Sequence, residues 1–178
     1  NAEDEVSAEN RLSDYLEANR GDGELREKII DFARTNYLDG LVESLLRESA
    51  EGAITGSDGA SAPLALARFL SERGRFDKAE KVIARFVNEA EGSETEKTQR
   101  LNQAALAYRE LDLIDEAEQS IGQALETEPD NTAFLDTKSG LQVDRGKYRE
   151  AIATLERIWE LETDLESKTV VDQKIFSL

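Results

Sequence analysis

The chain has 178 residues, with 22 Lys and Arg against 39 Asp and Glu, a formal net charge of −17 at pH 7, and it contains no Cys and no His. That length makes one domain or one short repeat array, and the charge argues against nucleic acid, whose binding rests on Lys and Arg neutralising phosphate. Without Cys there is no disulfide framework and no thiolate metal site, and without His the Ser–His and Cys–His nucleophile systems are excluded together with the commonest zinc ligand.

Helix formers dominate, with apolar residues three and four apart and no sustained period-two alternation, so the chain reads as helical throughout. Asn1-Ala2 open the chain in place of Met and read as the remnant of a cleaved tag, with the native start upstream. No positively charged leader with an apolar core is visible, and the compartment stays open, the cytoplasm favoured. A first helix is expected over 5–19, where Val6, Leu12, Tyr15 and Leu16 would cap one end of the helical array. Helices over 24–35 and 38–51 come next, then a Gly/Ser-rich loop from Gly52 to Ser61 that reads as the linker. Beyond it the pattern gives helices over 62–74, 77–91, 95–111, 114–127, 131–145, 148–161 and 165–176, with Pro63 and Pro129 where helices start or end. The last carries Val171, Ile175 and Leu178 on one face and reads as a cap, with Trp159 expected in the core against it. No apolar run approaches the roughly 18–20 residues of a membrane span.

The helices fall into pairs, and three segments align: RFLSERGRFDKAEKVIARFV, LAYRELDLIDEAEQSIGQAL and GLQVDRGKYREAIATLERIW. Each places an aromatic or aliphatic residue three before an Ala (Phe76/Ala79, Ile114/Ala117, Tyr148/Ala151) and a branched aliphatic four after it (Ile83, Ile121, Leu155). The Ala-to-Ala spacing is 38 and then 34 residues. Small residues let two helix backbones approach closely, and Phe76 or Tyr148 would fill the wedge toward the next pair. One such pair buries too little alone, so the pairs must stack.

On these residues the chain resembles the tetratricopeptide repeat family over about 60–165, with Tyr108, Ala117, Ala124, Leu125 and Pro129 in the expected places of the middle unit. Phe86 and Ile158 stand where a small residue is usual, and Lys138 where an apolar one is. A degenerate unit is expected at about 22–53, with Tyr37 three before Gly40 in the same register. The resemblance implies an all-α, right-handed solenoid of antiparallel helix pairs, a superhelix with end-capping helices. The divisions are residues 1–56, units at about 60–93, 98–131 and 132–165, and a cap at 166–178.

Chemistry-bearing motifs are few. Gly140 to Tyr148 has the wrong spacing for a phosphate loop, and Tyr148 stands where Ser or Thr would hold magnesium. Asp112, Asp115, Glu116 and Glu118 lack the calcium-loop pattern and suit a helix N-terminus. No catalytic residue, metal ligand or cofactor is expected, and the chain reads as no enzyme. The resemblance instead implies a groove lined by first helices. Its candidate partner-binding residues are Leu64, Arg68, Gln99, Asn102, Leu106, Arg109 and Asp136. The Lys, Arg and Asn clamp of chaperone-tail binders is missing, its places taken by Leu64, Gln103, Ala133 and Thr137. The expected function is a protein–protein interaction scaffold for a peptide or helix, a basic partner being favoured by the charge. The alternatives are a regulatory or assembly module of a larger protein and a self-associating solenoid.

Overall fold

The computed structural model describes residues 7, 10–15, 18, 23–55, 61–88 and 92–178. Every regular element among them is an α-helix: α1 (Gly23–Thr35), α2 (Asp39–Thr55), α3 (Ser61–Glu72), α4 (Phe76–Asn88), α5 (Glu94–Glu110), α6 (Ile114–Thr127), α7 (Thr132–Asp144), α8 (Tyr148–Leu161) and α9 (Leu165–Phe176). Residues 10–15 are helical as well. Consecutive helices pack on one another, and beyond them only α3 with α5 and α5 with α7 make substantial contact. The architecture is an α-solenoid, in which each layer touches its neighbours alone.

One turn builds all four helix pairs. The N–H groups of Leu38, Arg75, Leu113 and Lys147 donate to the carbonyls of Ala33, Leu70, Tyr108 and Gln142 at 2.8–2.9 Å. The residue before each donor, Tyr37, Gly74, Asp112 or Gly146, has φ of 59–71°. This left-handed residue, closed by a six-to-one hydrogen bond, reverses the chain and starts the next helix at once. That is why α6 and α8 begin without a side-chain cap. The helices that come after loops need one. Ser93 and Glu96 form a capping box on α5, Asn131 accepts from the N–H groups of Ala133 and Phe134, and Asp164 accepts from those of Glu166 and Ser167.

The turn fixes the register. Four residues after each donor come Val42, Ala79, Ala117 and Ala151, all fully buried where the paired helices cross. The expected placement of Gly40 at the first crossing is therefore corrected: Gly40 is exposed, Tyr37 is the turn residue, and Val42 takes the crossing. Phe76 and Tyr148 are likewise not wedges, being 53% and 51% exposed at the first residue of α4 and α8. The wedge is filled further along by Ile83, Phe86, Ile121 and Leu155. The large Ile158 is accommodated because it meets Val171 of α9, in a small cluster with Leu135 and Leu155. Trp159 lies one residue round the helix from Ile158, at the rim, and is 40% exposed. There the Lys168 ammonium sits 3.8 Å from its ring centroid. Val171 is buried and Ile175 packs beside it, while Leu178, beyond the end of α9, is exposed.

At the other end, Leu12 packs on the main core and Tyr15 is exposed, while Val6 and Leu16 lie outside the described residues. The helix α2 continues to Thr55, so residues 52–55 of the expected loop are helical; residues 56–60 lie outside the described residues. Ion pairs between turns and the preceding layer reinforce two of the junctions. Arg73 forks onto Asp39 at 2.6 Å and Arg75 reaches Glu43, while Arg145 meets Asp115 and Glu118. The Arg73 fork holds the Asp39 carboxyl below its ordinary range. The intervening turn carries Leu111 and Leu113, which pack on the core instead.

Two substitutions test this frame. Ala117→Phe or Ala151→Phe overpacks a fully buried crossing and lowers unfolding free energy by about 1–3 kcal/mol or more, read by urea denaturation; unchanged midpoints for both would break the register. Tyr37→Gly removes a bulky left-handed residue that is 80% exposed and raises stability by about 0.5–1 kcal/mol. A lower midpoint for Tyr37→Gly would contradict the turn assignment.

Candidate functional site

The first helices of successive pairs, α3, α5 and α7, lie side by side, and the candidate residues stand on these three helices. Each of these helices ends on an acid: Glu72, Glu110 and Asp144. A carboxylate there opposes the helix dipole. The preceding layer compensates, since Arg68 of α3 grips Glu110 of α5 through three contacts of 2.8–3.1 Å. Arg109 of α5 forks onto Asp144 of α7 at 2.5 and 3.0 Å. Lys174 of α9 reaches back to Asp136, in the first half of α7.

Gly140 makes the second fork possible. A Cβ there would lie 2.9 Å from Nη1 and 3.3 Å from Cζ of Arg109, so the guanidinium rests against bare backbone on its way to Asp144. Asp144, with Asp136 adding to the field, holds the Arg109 guanidinium above its ordinary range. Leu106, Arg109, Glu110 and Asp144 line one cavity of about 650 Å³. Leu106 is 41% exposed there, an apolar side chain among charges.

The sequence-derived candidates thus have different fates. The structure brings Leu106 and Arg109 into one cavity, joins Arg68 to it through Glu110, and sets Asp136 close enough to influence Arg109. Leu64 is half-buried against the core, and Gln99 is exposed near the start of α5. Asn102 is half-buried, and its Oδ1, like the Oε1 of Gln103, is buried with no hydrogen-bond partner in the chain. Of the places where a chaperone-tail clamp would sit, Thr137 is buried and donates to the Ala133 carbonyl. The carboxylates that hold Arg68 and Arg109 were not legible as partners, because they lie 42 and 35 residues away. The signal available was the recurrence of an acid one residue past Arg109 and at the same place in the next unit. Among the described residues no group of His, Cys, Asp and Glu is arranged to hold a metal ion, and no helix is long and apolar enough to cross a membrane.

Residues 98–131, which span α5, α6 and the turn between them, match the tetratricopeptide repeat family. The chain carries a tetratricopeptide repeat. No curated protein matches it. Among solved structures, the chain is similar to one described as kinesin light chain nearly identical TPR-like repeats from Podosopora anserina. The two share 14% identity over 84% of this chain and 82% of that one, with a TM-score of 0.58. It is also similar to YrrB, described as a TPR protein with an unusual peptide-binding site (11% identity, 97% and 85% covered, TM-score 0.54). A third is the TPR2AB domain of yeast Sti1 in complex with pHSP90 (14% identity, 98% and 79% covered, TM-score 0.50). These likenesses establish the tetratricopeptide-type solenoid fold.

The fork of Arg109 can be tested by charge exchange. Arg109→Asp alone sets three carboxylates together and lowers stability by up to about 1 kcal/mol, since both partners are solvent-accessible. Arg109→Asp combined with Asp144→Arg restores most of it at low salt, and 1 M NaCl shrinks the difference. A double variant no more stable than the single one would show that the pair does not couple.

Proposed function

We propose that the chain is a non-enzymatic protein–protein interaction scaffold whose α3–α5–α7 face is a concave groove for a peptide segment or helix of a partner. The cavity of Leu106, Arg109, Glu110 and Asp144 carries the reading: on the middle first helix an exposed apolar side chain stands among charges. An apolar side chain of an extended segment would cover Leu106, and its polar groups would meet the charges around it. The peptide-binding YrrB and the pHSP90-bound Sti1 domain share the fold and support the same use of it here. The acid row Glu72, Glu110 and Asp144, in a chain of charge −17, favours a partner with Lys or Arg able to exchange with Arg68 and Arg109.

A random peptide library displayed on phage and selected against the chain tests this. Selected peptides should lose binding at least about tenfold to Leu106→Lys, whose side chain is exposed enough to spare the fold, a loss of about 1.4 kcal/mol. Their affinity should also fall between about 50 and 500 mM salt. Peptides that bind Leu106→Lys and the parent equally would move the site off this face.

A second reading rests on α9. Its outer surface leaves Leu165 and Phe176 almost bare at 79% and 89% exposure, where an end layer is usually polar. Self-association through that helix would appear as a mass in light scattering that rises with concentration and falls back with Phe176→Lys.

A further inference from the structure

The repeated turn allows residues to be compared layer by layer, and the fourth pair breaks the pattern. The carbonyls that close the turns belong to Ala33, Leu70, Tyr108 and Gln142. Four residues earlier stand Ile29, Leu66 and Ala104, all buried, and then Lys138, which is exposed. In the third pair Tyr108 fills the space between α4, α5 and α6, leaving a groove of about 150 Å³. In the fourth, Gln142 turns into the helix pair and its Oε1 accepts a hydrogen bond from the Thr154 hydroxyl at 2.8 Å. The space a tyrosine would occupy stays open, and the groove between α6, α7 and α8 reaches about 380 Å³.

Its apolar lining is Ile121, Leu125 and Leu141. Gly122 adds no side chain, and a Cβ there would meet nothing within 4 Å. The rim carries Glu118, Glu126 and Glu150 against Lys138 and Lys147. Lys147 is held by Glu118 at 3.7 Å, which leaves two carboxylates facing one ammonium. Such a groove suits an apolar side chain with cationic neighbours, approaching a strongly acidic chain.

We propose that this groove is a second docking site, separate from the α3–α5–α7 face, which takes one large apolar side chain of a protein segment flanked by Lys or Arg. The side chain lies on Leu125 over Gly122, and the flanking cations meet Glu126 and Glu150. Burial of the apolar side chain supplies the driving force, so plugging the groove should cost about tenfold or more in affinity.

The test is an amide-shift titration of the ¹⁵N-labelled chain with three synthetic peptides: Lys-Lys-Phe-Lys-Lys, Glu-Glu-Phe-Glu-Glu and Lys-Lys-Ser-Lys-Lys. The first is expected to shift the amides of Gly122, Leu125 and Leu141 saturably, and the other two to bind at least about tenfold more weakly. Gly122→Trp, placed in open space, should weaken the first peptide by a similar factor with an unchanged melting temperature. If Gly122→Trp does not fold, the exposed pair Glu126→Lys and Glu150→Lys should do the same. Leu106→Lys should leave this binding intact, which separates it from the other face. Shifts absent from those three amides, equal binding of the acidic peptide, or full affinity in the folded Gly122→Trp or Glu126→Lys/Glu150→Lys variant would overturn the proposal.

Discussion

Everything in this solenoid hangs on one hydrogen bond made four times. An N–H three residues past the end of a first helix reaches back to a carbonyl in its last turn, with a left-handed residue between them. The bond reverses the chain with no loop to spare and places the next residue in phase, so Val42, Ala79, Ala117 or Ala151 meets the partner helix at the crossing. Small or compact residues there let the backbones close, and closure sets how the next layer lands. Two layers supply the left-handed residue as Gly74 and Gly146, with open space around the missing Cβ. The others use Tyr37 and Asp112 and bear the torsional cost.

The electrostatics derive from the same geometry. Ending α3, α5 and α7 on an acid would weaken each as a lone helix. In the stack the acids that end α5 and α7 give a handle to the layer before, and Arg68 and Arg109 use it. The acidic character of the chain and its internal cohesion are therefore not opposed on this face. The same cations that neutralise Glu110 and Asp144 cross-link α3 to α5 and α5 to α7.

Helix positions were legible in the sequence because burial on one stripe imposes a 3.6-residue period that composition cannot hide. The crossings at Ala79, Ala117 and Ala151 were legible because Gly74 and Gly146 mark two of the turns. The first pair was not: a left-handed Tyr37 carries no sequence signature, and it drew the register two residues away from Val42. Trp159, Phe76 and Tyr148 were assigned to the interior by their size, yet their helix phase puts them at rims and first residues. Of the candidate site, Arg68, Asn102, Leu106 and Arg109 could be placed by register alone. Their carboxylate partners, a whole layer away in sequence, and the space opened by Gln142 required coordinates.

The division of the interior has its own consequence. One continuous cluster runs from Ile29 to Leu141, but Leu135, Leu155, Ile158 and Val171 form a separate, smaller one, bridged to the first through Leu125. Neighbouring layers of a repeat protein share stability only through the side chains that span them. The interior is thus divided inside the fourth helix pair, where Phe134 and Leu141 of α7 belong to the larger cluster and Leu135 to the smaller. Opening that begins at α9 would give up only the contacts of the smaller cluster and leave the core from Ile29 to Leu141 to hold the earlier helices together.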